Sequence, residues 1–134
     1  MTRVPHWEVV LAEEIEQARP IEFSWGKNDC ASWSFGVVSR LRGEEFPQWL
    51  SGYRTKTGAY RKLKEAGKEI SDLGFEFLGE PLETPLLAQR GDLVFNRDTY
   101  GISLGSETAH IGDDGGNKGL VFLPLREAVR AWRT

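Results

Sequence analysis

The sequence predicts an α+β fold, and three observations carry that prediction. Through the first half of the chain, apolar residues recur at helical spacing. From Leu93 onward the period shortens, and apolar residues fall into brief strand-like runs. Glycine, 15 residues of 134, sets those runs apart with polar turns, which favours a small mainly antiparallel sheet over alternating βαβ units. With 40% hydrophobic and 28% charged positions, 134 residues suffice for a single domain over 1–134. No repeat, low-complexity tract or long linker interrupts it.

The first helix is expected to carry Trp7, Val10, Leu11, Ile15 and Ala18 on one face, with Glu13, Glu14 and Glu16 largely on the other. Pro5 suits its start and Pro20 its stop. A turn follows, Phe23-Ser24-Trp25-Gly26-Lys27-Asn28-Asp29-Cys30, in which Asn28 or Asp29 can cap a second helix. Trp33, Val37, Val38 and Leu41 supply that helix's apolar face and Gly43 its end. A turn-rich aromatic stretch with Phe46, Pro47, Trp49, Gly52 and Tyr53 leads to a short third helix. Thr57 is expected to cap it, Tyr60, Leu63 and Ala66 to line it, and Gly67 to close it. Arg54, Lys56, Arg61, Lys62 and Lys64 make this region locally basic, either as a solvated face or as a patch for an anionic partner.

The expected strands are Leu93-Val94-Phe95, Gly101-Ile102-Ser103-Leu104 and Leu120-Val121-Phe122-Leu123. Gly112 to Asn117 has the composition of a hairpin turn and lacks the alternating acids of a calcium loop. After Pro124, the spacing of Leu125, Val129 and Trp132 predicts a closing C-terminal helix.

Composition excludes several functions. A single cysteine, Cys30, rules out an intrachain disulfide framework, and one cysteine with two histidines supports no standard zinc site. A formal charge of −3 argues against a general nucleic-acid binder. No apolar run reaches the ~18 residues of a membrane span, and Met1 to Trp7 lacks the apolar core of a signal peptide. No G-x-x-x-x-G-K phosphate loop occurs, and no cofactor is expected.

Chemistry concentrates at Cys30, which falls in the first turn of the second helix. Unpaired amides and the helix dipole there are expected to favour the thiolate, the nucleophilic form. Asp29 precedes it, as a cap more readily than as an acid catalyst. Asp92, in a Gly-Asp turn before a strand, reads as structural, and His6 as structural or merely exposed.

Two motifs, Trp25-Gly26-x-x-Asp29-Cys30 and Arg90-Gly91-Asp92-Leu93-Val94-Phe95, resemble those of the NlpC-type cell-wall cysteine peptidases, a compact branch of the papain-like superfamily. In that family a D-C-S-G-like turn starts the nucleophile helix, a G-D-L-V-F-F-like strand opens the sheet, and an H-V-G-I-like strand brings the histidine. The resemblance implies a papain-like NlpC-type fold with Cys30 as nucleophile. It places Thr99 where the catalytic histidine would stand, and threonine is no general base near neutral pH. His110 lies about where the family carries the residue that orients the histidine, as its relic or as a relocated base. Ala31-Ser32 replaces the usual serine and glycine after the nucleophile.

A narrower resemblance covers nearly the whole chain. Trp7-Glu8, Phe23 to Cys30, Gly52-Tyr53-Arg54, Gly91 to Val94, Gly101 to Gly105 and Gly119 to Arg133 match the plan of a group of short tailed-phage proteins. That resemblance implies a virion tail protein, made in the host cytoplasm, near the tail hub and central fibre. Its expected function is that of a tail-tip or tail-assembly protein on a degenerate peptidase scaffold, contacting hub or central-fibre subunits. The alternative is an active peptidoglycan amidase or endopeptidase, in which Cys30 attacks a stem-peptide amide during wall penetration and His110 supplies or assists the base.

Overall fold

The computed structural model describes residues 3–26, 28–45, 52–96, 99–113 and 118–134. Helix α1 (Trp7–Ala18) buries Leu11, Ile15 and Ala18 and leaves Glu13 and Glu16 in solvent, as its apolar spacing dictates. Helix α2 (Cys30–Arg42) buries Trp33, Val37, Val38 and Leu41 and ends at Gly43, which takes the left-handed conformation of a C-cap. Helix α3 (Lys56–Glu65) starts earlier than the sequence predicts. Its cap is Thr55, whose hydroxyl accepts from the Gly58 amide at 3.0 Å, and Thr57 lies within the first turn.

A fourth helix, α4 (Asp72–Leu78), was not predicted. Seven residues with an interior glycine have little intrinsic helicity, so tertiary packing makes this helix. The Tyr100 hydroxyl accepts from the Gly74 amide at 3.0 Å and donates to the Ile70 carbonyl at 2.7 Å. The aromatic segment holding Phe46, Pro47 and Trp49 lies outside the described residues, as do Asp114 to Asn117 of the expected hairpin turn.

Strands β1 (Leu93–Asn96), β2 (Thr99–Ser103), β3 (Glu107–Asp113), β4 (Lys118–Pro124) and β5 (Arg130–Trp132) form one sheet in the order β4-β3-β2-β1-β5, antiparallel throughout. Because side chains alternate, the register splits the sheet into two faces. Leu93, Phe95, Tyr100, Ile102, Ala109, Ile111 and Trp132 face α1 and α2 and form the main core. Val94 and Ala131 turn the other way, against Ala88, Leu82, Leu125 and Ala128. That second face is otherwise polar and still buried: Asn96, Ser103, Thr108 and His110 all lie on it.

The expected C-terminal helix is absent. Residues Leu125–Glu127 make one 3-10 turn, Ala128 is extended, and the chain enters β5. Three apolar residues at helical spacing were too few to outweigh what a strand provides here. As part of β5, Trp132 pairs with Leu93, is fully buried, and donates its indole N–H to the Gly79 carbonyl at 3.0 Å. Pairing also covers the open edge of β1. Val129, which a helix would have turned inward, stays largely exposed.

Candidate functional site

The turn before α2 is a small folded unit. Ser24 and Asn28 exchange backbone hydrogen bonds at 2.9 and 2.8 Å, and Gly26 between them takes φ +81°. A Cβ at Gly26 would stand 2.0 Å from the Tyr53 carbonyl oxygen, so only glycine lets the two chain segments touch. Asp29 caps α2: its Oδ1 accepts from the Ser32 amide at 2.9 Å, and the Ser32 hydroxyl accepts from the Asp29 amide at 3.1 Å. Its Oδ2 accepts from the Gly26 amide at 2.8 Å and from the Tyr53 hydroxyl at 2.5 Å. The carboxylate is thus buried and filled with donors, which is the geometry of a brace. Asn28, the other cap candidate, instead donates its side-chain amide to the Glu22 carbonyl.

The brace sets Cys30 at the first position of α2, facing the start of β2. The cysteine keeps some exposure as a residue, but its sulfur is closely surrounded. Desolvation by burial pushes the thiol above its ordinary value. The Tyr100 backbone amide, the Thr99 hydroxyl and the Ala31 amide favour the thiolate and Asp29 opposes it, and desolvation outweighs the favourable contacts. The thiolate expected from the helix terminus is therefore not the ground state. A helix end stabilises an anion that stays hydrated, and this sulfur is largely removed from water.

Thr99 is brought to Cys30, as the motif order implies, where its hydroxyl favours the thiolate; that hydroxyl also donates to the Tyr100 carbonyl at 3.4 Å. His110 is carried on β3 opposite Gly101 and is fully buried. Its Nδ1 lies 3.0 Å from the Tyr100 carbonyl oxygen and its Nε2 2.7 Å from the Thr108 hydroxyl. A carbonyl only accepts, so Nδ1 carries a proton toward Tyr100; the Thr108 hydroxyl donates to the Leu123 carbonyl at 3.3 Å and lies against Nε2. The ring lies over Gly101, where a Cβ would approach it to 2.4 Å. One residue, Tyr100, thus meets both candidates, its amide toward the Cys30 sulfur and its carbonyl toward the His110 ring.

The remaining candidates stand apart. His6 is exposed, in a left-handed conformation just before α1. Asp92 is buried beneath Arg3 and Arg133, at 2.9 and 3.1 Å, and accepts from the Gln89 and Thr134 amides. It ties Arg3 to Thr134. Sequence reasoning missed Tyr53, Thr108 and Asn96, whose side-chain nitrogen is buried on the face that carries Thr99 and His110. Period-two alternation along β2 and β3 was the signal that would have grouped His110 with Thr108. Among the described residues, no group of three or more His, Cys, Asp or Glu could hold a metal ion, and no helix is long and apolar enough to cross a membrane.

A family model described as a domain of unknown function, DUF6950, matches residues 2–134. No curated protein and no solved structure matches the chain.

Proposed function

The chain belongs to the DUF6950 family, and from that premise we propose that it is a non-hydrolytic tail-tip or tail-assembly protein of a phage particle, built on a degenerate NlpC-type scaffold. On this reading it resides in the virion tail and contacts hub or central-fibre proteins. The motif plan from Trp7-Glu8 to Arg133 supports the tail setting.

One observation carries the non-hydrolytic part: the polar side chain beside the Cys30 sulfur is that of Thr99, which cannot take the thiol proton at neutral pH. Burial holds that proton on sulfur, so an unassisted attack on an amide has almost no nucleophile to draw on. His110 does not supply the lack, because it lies on the sheet face opposite the core that Cys30 packs against, with Nδ1 engaged by the Tyr100 carbonyl and Nε2 by the Thr108 hydroxyl. A fold of this kind can keep its shape after losing its reaction, since shape and chemistry rest on different residues.

The test is a digestion of purified peptidoglycan and isolated stem peptides by the chain and by Cys30→Ala, read by mass spectrometry. The expected result is no cysteine-dependent product, together with recovery of the tagged chain in purified tails beside hub or fibre subunits. Cleavage that disappears in Cys30→Ala would overturn the reading in favour of the peptidase, and tails that never contain the chain would leave only an assembly role.

A further inference from the structure

We propose that the protein forms a closed two-fold dimer through the outer edge of β4, which pairs antiparallel with β4 of a second copy and joins two five-stranded sheets into one. The bonds beside β4 fix which of its backbone groups face outward. The Leu125 amide donates to the Ser106 carbonyl at 2.9 Å, and the Leu104 amide to the Glu107 carbonyl at 2.7 Å. Bonding alternates along an antiparallel ladder, so Gly119, Val121 and Leu123 spend their amides and carbonyls on β3, while Leu120 and Phe122 turn theirs away from it. Among the described residues, no hydrogen bond meets those outward groups. The segment at Ile21 and Glu22 lies against Gly119 without bonding to β4. The opposite edge of the sheet is already held, because the Leu82 amide donates to the Ala131 carbonyl on β5 at 2.7 Å.

The devices that keep an open edge from pairing are missing where they would count. From Gly119 to Leu123 the strand carries no charge, and its proline, Pro124, stands at its last position. Phe122 is 38% exposed, and Ile21 beside the strand is 50% exposed. Arg19, over the Phe122 ring, is already paired with Glu16.

The register of the edge selects the occupant. With the two-fold axis at Val121, midway along β4, the two strands overlap along their whole length, and Leu120 of one copy stands opposite Phe122 of the other. These are the residues whose amides and carbonyls point outward, so each meets the other's needs. The two Val121 residues then face one another at the axis as a pair without hydrogen bonds. Leu120 and Phe122 share one face of the sheet, so the same pairing covers the exposed ring. A loose peptide would first have to be ordered, whereas β4 of a second copy is already extended and has the same unmet groups. One open edge meeting itself makes an isologous contact, which stops at two copies. The inference does not depend on the tail assignment, because it uses only this edge.

The experiment joins sedimentation equilibrium to amide hydrogen exchange read by NMR, both on the full chain. With rising concentration the mass should climb from 15.1 kDa to about twice that value and stop there, with little response to salt because no charge pair holds the contact. The Leu120 and Phe122 amides should exchange slowly only in the dimer, while those of Val121 and Leu123 stay slow throughout. Phe122→Pro removes an outward N–H and no bond to β3, and Phe122→Lys puts a charge on the edge. Each should weaken association about tenfold or more, with thermal melts showing a folded chain. A chain that stays monomeric overturns the proposal, as does association that runs past a dimer, survives both substitutions or leaves Leu120 and Phe122 unprotected. Capture of an extended peptide on β4 by a monomeric chain also overturns it and gives the edge to another partner.

Discussion

The Tyr53 hydroxyl donates a 2.5 Å hydrogen bond to Oδ2 of Asp29, and this contact fastens the loop before α3 to the N-terminus of α2. Two sequence motifs, one ending at Cys30 and one centred on Tyr53, are therefore halves of a single structural unit. Burial and the neighbouring carboxylate push the Tyr53 phenol well above its ordinary value, so the hydroxyl remains a donor at every physiological pH.

Tyr53→Phe should cost about 1.5–3 kcal/mol, the range for a hydrogen bond to a charged acceptor. Asp29→Ala should cost more, because it also removes the α2 cap, worth about 0.5–2 kcal/mol, and leaves the Tyr53 hydroxyl without its acceptor. Urea unfolding of both variants checks the order, and equal losses would show that the cap adds nothing beyond the Tyr53 bond.

Asp92 anchors a second unit. Its carboxylate is fully buried, and Arg3, Arg133 and the Thr134 amide converge on it. Asp92→Ala should destabilise by about 1–3 kcal/mol, the cost of leaving the Gln89 and Thr134 amides without their acceptor, because Arg3 and Arg133 reach solvent. Arg3→Ala should cost less, because Arg133 and two backbone donors remain. Melting temperatures of the two variants decide this.

The parts legible in the sequence were those written in local periodicity. Helices α1 and α2, the capped turn before Cys30 and most of the strands follow from the spacing of apolar residues and the placement of Asp29 and Gly43. The parts not legible depend on distant contacts. Helix α4 exists because Tyr100 and Trp132 pack over it, and β5 replaces a helix because Leu93 offers Trp132 a partner. The thiol departs from its helix-end expectation for the same reason. Position at a helix end is local information, while burial of the sulfur depends on strand β2, far along the chain.

Gly101→Ala should be costly for a β-strand glycine. The new Cβ would lie 2.4 Å from the His110 ring and 2.5 Å from the Ala109 carbonyl oxygen, so either the ring or the strand must move. Overpacking of this kind costs about 1–3 kcal/mol. Gly112→Ala on the neighbouring strand meets nothing within 4 Å and serves as the control. Nitrogen NMR of the His110 ring should report loss of the Nδ1–H tautomer only in the first variant.

The Cys30 thiol should make stability fall in mildly alkaline solution. An unfolded thiol ionises near ~8.5, and burial places the folded value higher. The folded chain therefore keeps its proton where the unfolded chain has lost it. The resulting stabilisation is full below the unfolded value and is lost as pH rises through the folded one. Stability of the protein minus that of Cys30→Ala should shrink between about pH 8 and about pH 10, before the raised Tyr53 phenol contributes. A difference that stays constant over that interval would mean the thiol is as accessible as in the unfolded chain.

Thr99→His tests whether the missing imidazole is what keeps the sulfur neutral. Thr99 is half-buried, its hydroxyl already reaches the sulfur, and its strand is fixed by pairing with Asn96 on β1. An imidazolium at this position would stabilise a thiolate by direct charge pairing, which commonly brings a cysteine to between about 3.5 and about 7.5. The rate of alkylation by iodoacetamide, followed against pH, should move its midpoint down by at least about one pH unit relative to the unaltered chain. Thiolate absorbance in the ultraviolet should appear at neutral pH and vanish in the Thr99→His, Cys30→Ala double variant. A midpoint that does not move would show that desolvation of the sulfur dominates even with a cation beside it. Thr99 would then be no more than a spacer between β2 and the start of α2.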